Sequence, residues 1–332
     1  MPALYLSDSD AVMGVEGDCF KIAAKDGSRK TVPMMNVDSV VVFVGAQVTT
    51  QAIAELLQRD IPTTFLSNHG RYYGRLVSTE TKSVELRLLQ YKHLDNTDFR
   101  LNFSKSIIKG KILNTLYILK NVNRYRGFDE VKECIAGLHN TVRKLDEAPS
   151  LDSLRGYEGS ASAAYFKVLP DLLKENFGFS GRNRRPPKDP INSMLSFLYT
   201  LLMYNVYTAT VTAGLDPAVG FLHEYTDNRP ALPLDLMEEF RVLLADQVVF
   251  DMVNHGMVPL DGFYQGEERD AYPVLIQNDL RKKIIARYEK RIATVVLYEG
   301  ESYSYRKILE LQARRLVRHI RGGEAYKPFV QQ

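Results

Sequence analysis

The hydrophobic period of this chain changes once, near residue 80, and that switch limits what it can fold into. Up to about Val77 the apolar residues come in short β-branched and aromatic runs: Ala3-Leu4-Tyr5-Leu6, Cys19-Phe20-Lys21-Ile22, Ser39 to Val44 and Thr63-Thr64-Phe65-Leu66. Asp26-Gly27 marks an early hairpin, and Ser67-Asn68-His69-Gly70 separates Leu66 from a further strand-like run, Arg71 to Val77. One helix is expected here, from about Thr50 through Leu57, ended by Ile61-Pro62. From about Ser83 the spacing is helical. Val84, Leu86, Leu88, Leu89 and Tyr91 open one helix; a second, capped by Ser104, carries Ile107, Ile108, Ile112, Leu116 and Leu119. Val131 to Leu145 and Ser160 to Phe177 follow, the latter kinked or split at Pro170. Ile191 to Ala213 is apolar nearly all round, as a helix at a domain centre would be. The expected fold class is α+β: a β-rich domain over 1–80, an all-helical domain over 81–322, and a short polar tail over 323–332.

Composition narrows the class without naming it. The apolar share of 45% and charged share of 25% are ordinary for a globular protein. No apolar run is read as a membrane span and the N-terminus has no signal-peptide pattern, so no membrane and a cytoplasmic location are expected. Cys19 and Cys134 lack metal-site spacing and are read as reduced. The net charge of +3 says little, whereas its distribution says more. Arg182, Arg184, Arg185 and Lys188 cluster in a Gly- and Pro-rich loop over 178–189; Arg281 to Arg291 form a second group. Arg314, Arg315 and Arg318 recur along an amphipathic third segment. Such faces suit phosphate neutralisation on double-stranded DNA, against the plainer reading of solvated helix faces.

Three remote segments carry the chemistry. Glu158 stands in Arg155-Gly-Tyr-Glu158-Gly159, just ahead of a small-residue run, where a helix N-terminus would favour an anion. His223 closes the apolar run Val219 to Leu222. Asp235, Glu238 and Glu239 share one face of a short helix, with Arg241 following. Two carboxylates and an imidazole are hard and borderline ligands, suited to Mg²⁺ or Mn²⁺ acting on phosphate. Glu239 is read as supporting or exposed, neutralised by Arg241 or Arg229.

Leu-Arg-Gly-Tyr-Glu158-Gly-Ser-Ala, Arg185-Pro-Pro-Lys-Asp-Pro-Ile-Asn192, Gly220-Phe-Leu-His223 and Asp235-Leu-Met-Glu238-Glu239-Phe-Arg241 together resemble the CRISPR-associated spacer-acquisition integrase family, the larger catalytic subunit of the adaptation complex. The resemblance runs from the N-terminus to about Arg321. It implies that Glu158, His223 and Glu238 are the catalytic metal ligands, with Asp235, Glu239 and Asn192 as supporting residues or alternative ligands. Arg185 is the implied phosphate contact, and Arg241 a further one. It further implies joining of the 3′-hydroxyl ends of a short foreign fragment to a CRISPR repeat, homodimerisation through the N-terminal domain, and a small ferredoxin-like partner subunit. Two other classes stay open: a metal-dependent nuclease for branched or damaged DNA, and a non-catalytic DNA-binding scaffold.

Overall fold

A computed structural model describes residues 3–25, 27–77, 83–124, 126–183, 186–227, 229–267 and 273–332. The chain divides into two compact units, Met1–Thr81 and Lys82–Gln332. The first contains β1 (Ala3–Leu6), β2 (Val12–Glu16), β3 (Cys19–Ala23), β4 (Arg29–Pro33), β5 (Ser39–Phe43), β6 (Gln47–Val48), α1 (Thr50–Gln58), β7 (Thr63–Leu66) and β8 (Tyr72–Leu76). They form two four-stranded sheets, ordered β1-β5-β7-β8 and β4-β3-β2-β6. One core of Leu6, Met13, Phe20, Met34, Val40, Val42 and Leu56 joins the sheets and α1. The run Val40 to Phe43 is buried on both faces, which is why it reads as continuous apolar sequence and not as alternation. Asp26 of the expected hairpin lies outside the described residues; β3 and β4 pair on either side of it, Ala23 opposite Arg29.

The second unit contains α2 (Val84–Lys92), α3 (Thr97–Asn123), α4 (Asp129–Leu145), α5 (Leu151–Leu172), α6 (Pro190–Thr212), α7 (Ala231–Met237), α8 (Gln247–Asn254), β9 (Phe263–Gln265), β10 (Val274–Ile276), α9 (Asn278–Ile292), β11 (Val295–Tyr298), β12 (Glu301–Ser304) and α10 (Tyr305–Ile320). It is mainly but not wholly helical: β9 with β10, and β11 with β12, make two antiparallel pairs that helical periodicity concealed. The α+β class holds. Ser104 does not cap α3; Asn96 does, its side chain accepting from the Phe99 N–H at 2.9 Å, and Ser104 is buried mid-helix. Pro170 sits in the last turn of α5, so it ends the helix instead of splitting it.

At the centre, α6 begins on an Asp189 cap with Pro190 in its first turn. Its 23 residues include an 18-residue stretch of mean hydropathy 1.2, so by length and composition alone the helix could cross a bilayer. Here it packs against α7, α10 and β10. Between α7 and α8 the helical path widens into a π-turn over Arg241–Asp246, a feature that re-aims the side chains around it.

The expected polar tail is instead part of the core. Tyr326 and Phe329 are 3% and 2% exposed. Phe329 stacks on Phe240 at 5.4 Å between ring centroids, and Asn114 on α3 donates to the Phe329 carbonyl at 2.9 Å. Gly110 makes room for this strap, since a Cβ there would meet the Pro328 ring at 2.6 Å. Spaced aromatics among polar residues decided the outcome, and composition averaged them away. Phe329→Ala is expected to cost about 3–5 kcal/mol in denaturant unfolding of the full chain, whereas a loose tail would show no change.

Candidate active site

α5 starts at a Ser150 cap, two turns earlier than the sequence implied, so Glu158 lies inside the helix. The helix-end argument for its charge therefore fails. What meets that charge is Lys111 on α3, whose ammonium is in a close ion pair with Glu158 and lies 2.8 Å from Glu238 Oε2. Ser162, one turn on from Glu158, donates to the same Oε1 at 2.9 Å. Glu238 also takes Arg241 Nη1 on its other oxygen at 2.9 Å. Two carboxylates distant in sequence thus converge on one ammonium.

His223 is positioned by Asp235. The Asp235 carboxylate accepts from the backbone N–H groups of Phe221 (2.6 Å), Leu222 (3.0 Å) and His223 (2.9 Å). It lies 2.7 Å from His223 Nδ1. With Nδ1 carrying the proton, Nε2 is left with its lone pair, the arrangement a metal-binding histidine needs. Gly220 permits this nest, because a Cβ would stand 2.9 Å from Asp235 Oδ2. Arg155 on α5 donates to the Leu222 carbonyl at 3.0 Å, tying the histidine segment to the helix that carries Glu158. Among the described residues no three His, Cys, Asp or Glu side chains stand at ligand spacing, and the ammonium of Lys111 contacts both carboxylates.

The remaining acids have other roles. Glu239 is neither exposed nor paired with an arginine on the surface: it is fully buried, accepting from Gln312 Nε2 at 2.8 Å, the Phe329 N–H at 2.7 Å and the Tyr326 hydroxyl. Asp246 accepts from the hydroxyls of Tyr165 (2.8 Å) and Tyr199 (2.7 Å). Asn192 is buried at the start of α6, accepting from Arg182 Nη1 at 2.7 Å and donating to Asp189 Oδ2 at 2.6 Å. It ties Gly181, Arg182 and Asn183 to the start of α6 and presents no free oxygen.

The basic residues divide by burial. Arg182 is turned inward to Asn192 and Ser196, 5.3 Å over the Tyr199 ring. Arg184 and Arg185 lie outside the described residues. Lys188 is exposed. Arg315, expected on DNA, is 6% exposed, donating to Gln312 and the Lys327 carbonyl and paired with Glu299. Its neighbours Arg314 and Arg318 are exposed. Arg241 lies 4.6 Å over Tyr199, and its Nε is buried with no hydrogen-bond partner among the described residues. Lys111, Arg182, Tyr199 and Arg241 line one cavity with Ser162 and Asp246. Sequence reading missed Lys111, Tyr199 and Asp246, since one of several lysines in a mixed helix and a tyrosine in an apolar one carry no local signal.

Adjacent carboxylates titrate in opposite directions. Burial disfavours the charge of Glu238, but Arg241 and Lys111 overcome it and bring its pKa from 4.5 down to about 2. Glu158 is also held low, burial being outweighed by Lys111. At Glu239, burial outweighs its neutral donors and raises the pKa to about 7. Because the folded state depresses the pKa of Glu238, its contribution is present above the ordinary value of 4.5 and lost as pH falls through about 2. Glu238→Gln should remove roughly 3 kcal/mol at neutral pH and flatten the acid limb between those values. Denaturant unfolding across pH measures this, and an unchanged acid limb contradicts the assignment.

A family profile, "CRISPR associated protein Cas1", matches residues 4–290. The chain is 35% identical to "CRISPR-associated endonuclease Cas1 3" of Thermus thermophilus, over 98% of this chain and 96% of that protein. Its fold is similar to that of a "Casposase bound to integration product", with TM-score 0.86 and 22% identity over 99% of this chain and 93% of that one. It is also similar to part of a longer chain in a "Cas6-RT-Cas1--Cas2 complex", with TM-score 0.84 and 22% identity, covering 99% of this chain and 36% of the other. With a profile over most of its length and a relative at this identity over nearly all of it, the chain belongs to the CRISPR-associated Cas1 family.

Proposed function

We propose that this protein is a divalent-metal-dependent DNA integrase and endonuclease of CRISPR adaptation, with Glu158, His223 and Glu238 as the metal ligands. The observation that carries the reading is the convergence of Glu158 and Glu238 on a single cation, Lys111, beside an imidazole oriented by Asp235. A cation already stands between the carboxylates, and hard oxygens with one imidazole nitrogen fit Mg²⁺ or Mn²⁺. When bound, such an ion stabilises charge on the phosphate and on the attacking and leaving oxygens. The chain's own residues supply the rest. Asp235 fixes the ring of His223, and Arg241, which lines a cavity shared with Lys111 and has an unpartnered Nε, offers a donor to phosphate oxygen.

The proposed reaction is transesterification. The 3′-hydroxyl of a fragment end bonds to a target phosphorus and loses its proton, the bond from that phosphorus to the target's own 3′-oxygen breaks, and the departing oxygen takes up a proton. With water as the nucleophile the same site nicks DNA. The endonuclease name of the Thermus relative and the integration product on the casposase support these two outcomes of one site. The occurrence of the longer chain in a Cas6-RT-Cas1--Cas2 complex supports a Cas2 partner, which is proposed to be the small ferredoxin-like subunit. The β-rich unit is proposed to pair two copies into a homodimer, and the exposed Lys188, Arg314 and Arg318 to lie against duplex DNA.

Glu158→Gln and His223→Ala should each abolish joining of a labelled duplex to a repeat-bearing plasmid while leaving duplex binding within a few-fold. Joining that persists in either variant removes the proposed site, and fragments with no joined product select the nuclease reading. Asp235→Asn should weaken Mn²⁺ binding about 10- to 100-fold through the loss of histidine orientation, measured by calorimetry. Arg314→Glu with Arg318→Glu should weaken duplex binding and reduce its logarithmic salt slope by about one per lost phosphate contact. An unaltered slope takes this face of α10 off the DNA.

A further inference from the structure

We propose that Lys111 is a built-in placeholder: its ammonium occupies the space between Glu158 and Glu238 in the metal-free protein and is displaced when a divalent ion binds. The inference rests on the metal site proposed above and adds a residue that the family's sequence motifs did not single out. Lys111 is 14% exposed, and its partners Glu158 and Glu238 are 28% and 5% exposed, so these charges meet largely out of water. Two such carboxylates left without a cation would repel each other at short range.

The charge count makes the two occupants exclusive. Glu158 and Glu238 carry two negative charges, balanced by Lys111 and Arg241. Adding a divalent ion while the ammonium stays would leave two uncompensated positive charges in a partly buried cluster, with both cations competing for the same oxygens. Releasing the ammonium removes one of those charges and frees an oxygen on each carboxylate. Arg241 is the wrong group to leave, since its guanidinium is also held over Tyr199 at 4.6 Å. Lysine has the flexible four-carbon stem and compact charge that displacement requires. Lys111 also lines the cavity bordered by Arg182 and Tyr199.

The consequence is a metal affinity set by competition. The state able to take metal is only part of the metal-free population, and affinity is reduced by that fraction. The test is Mn²⁺ titration of the full-length protein by calorimetry, comparing wild type, Lys111→Met and Glu158→Gln. Lys111→Met is expected to bind Mn²⁺ about tenfold more tightly, to melt at a lower temperature without metal, and to gain more from added Mn²⁺ than wild type. Equal or weaker binding by Lys111→Met, with wild-type binding intact and lost in Glu158→Gln, overturns the placeholder and leaves the metal site standing. Absence of Mn²⁺ binding in both wild type and Lys111→Met overturns the two together. A measurement on the wild type avoids any folding defect of the variant: acylation of Lys111, read by mass spectrometry, should be slow without metal and severalfold faster at saturating Mn²⁺. An unchanged rate at demonstrated saturation overturns the proposal.

Discussion

Burying four carboxylates within twelve residues, from Asp235 to Asp246, is the constraint around which the helical unit is arranged. An unaccompanied charge in that environment costs several kcal/mol, so each acid needs a partner from another element. Asp235 takes backbone amides and an imidazole from the segment before α7. Glu238 takes cations from α3 and from the π-turn, and Glu239 takes neutral donors from α10 and the C-terminal strap. Asp246 takes phenols from α5 and α6. The widened turn changes register between Glu239 and Asp246, so acids on one helical path face different neighbours. The fold that converges on this segment is the fold that assembles the site.

The same demand for partners consumes much of the positive charge that a sequence reader would assign to DNA. Arg315 is spent on Glu299 and the strap, Arg182 on Asn192, and Arg287 on Asp251. Arg291 reaches the Leu243 carbonyl and Arg306 reaches Glu289. Exposed at the surface of these clusters are Lys188, Lys283, Lys290, Arg314 and Arg318. Helical periodicity gave the fair expectation that Arg314, Arg315 and Arg318 act together, but three residues at those spacings do not all face one way. Arg315 falls on the buried side with Gln312 and Leu316.

The change from strand to helix was legible because period is a property of every residue in a segment, and so were α1, α6 and the turn between β7 and β8. Less legible was anything set by a single distant partner. β2 and β4 carry glycine, lysine and arginine that blur their alternation, yet each finds its place on β3. Tyr326 and Phe329 were invisible as core because only their docking on Glu239, Asn114 and Phe240 makes them so. At the proposed site, Glu158, His223 and Glu238 were singled out through their motif surroundings, while the helix end expected at Glu158 lies two turns before it. Its charge is stabilised by Lys111, a residue 47 positions away that no local pattern connects to it.

Exchangeability of partners separates Glu238 from the three acids around it. A metal ligand must be held in place before the ion arrives and yet be able to give up what holds it. Asp235 cannot, since releasing it would unmake the turn that carries His223. Glu239, pushed up to about 7, is bound by donors that would be orphaned inside the protein if it moved. Asp246 is closed off by two buried phenols, and burial raises its pKa. Glu238 alone of the four is held by cations, one of them on a flexible stem, and exchanging one cation for another preserves the sign of the interaction. That asymmetry, more than proximity to the histidine, is the physical ground for preferring Glu238 to Asp235 as the direct ligand.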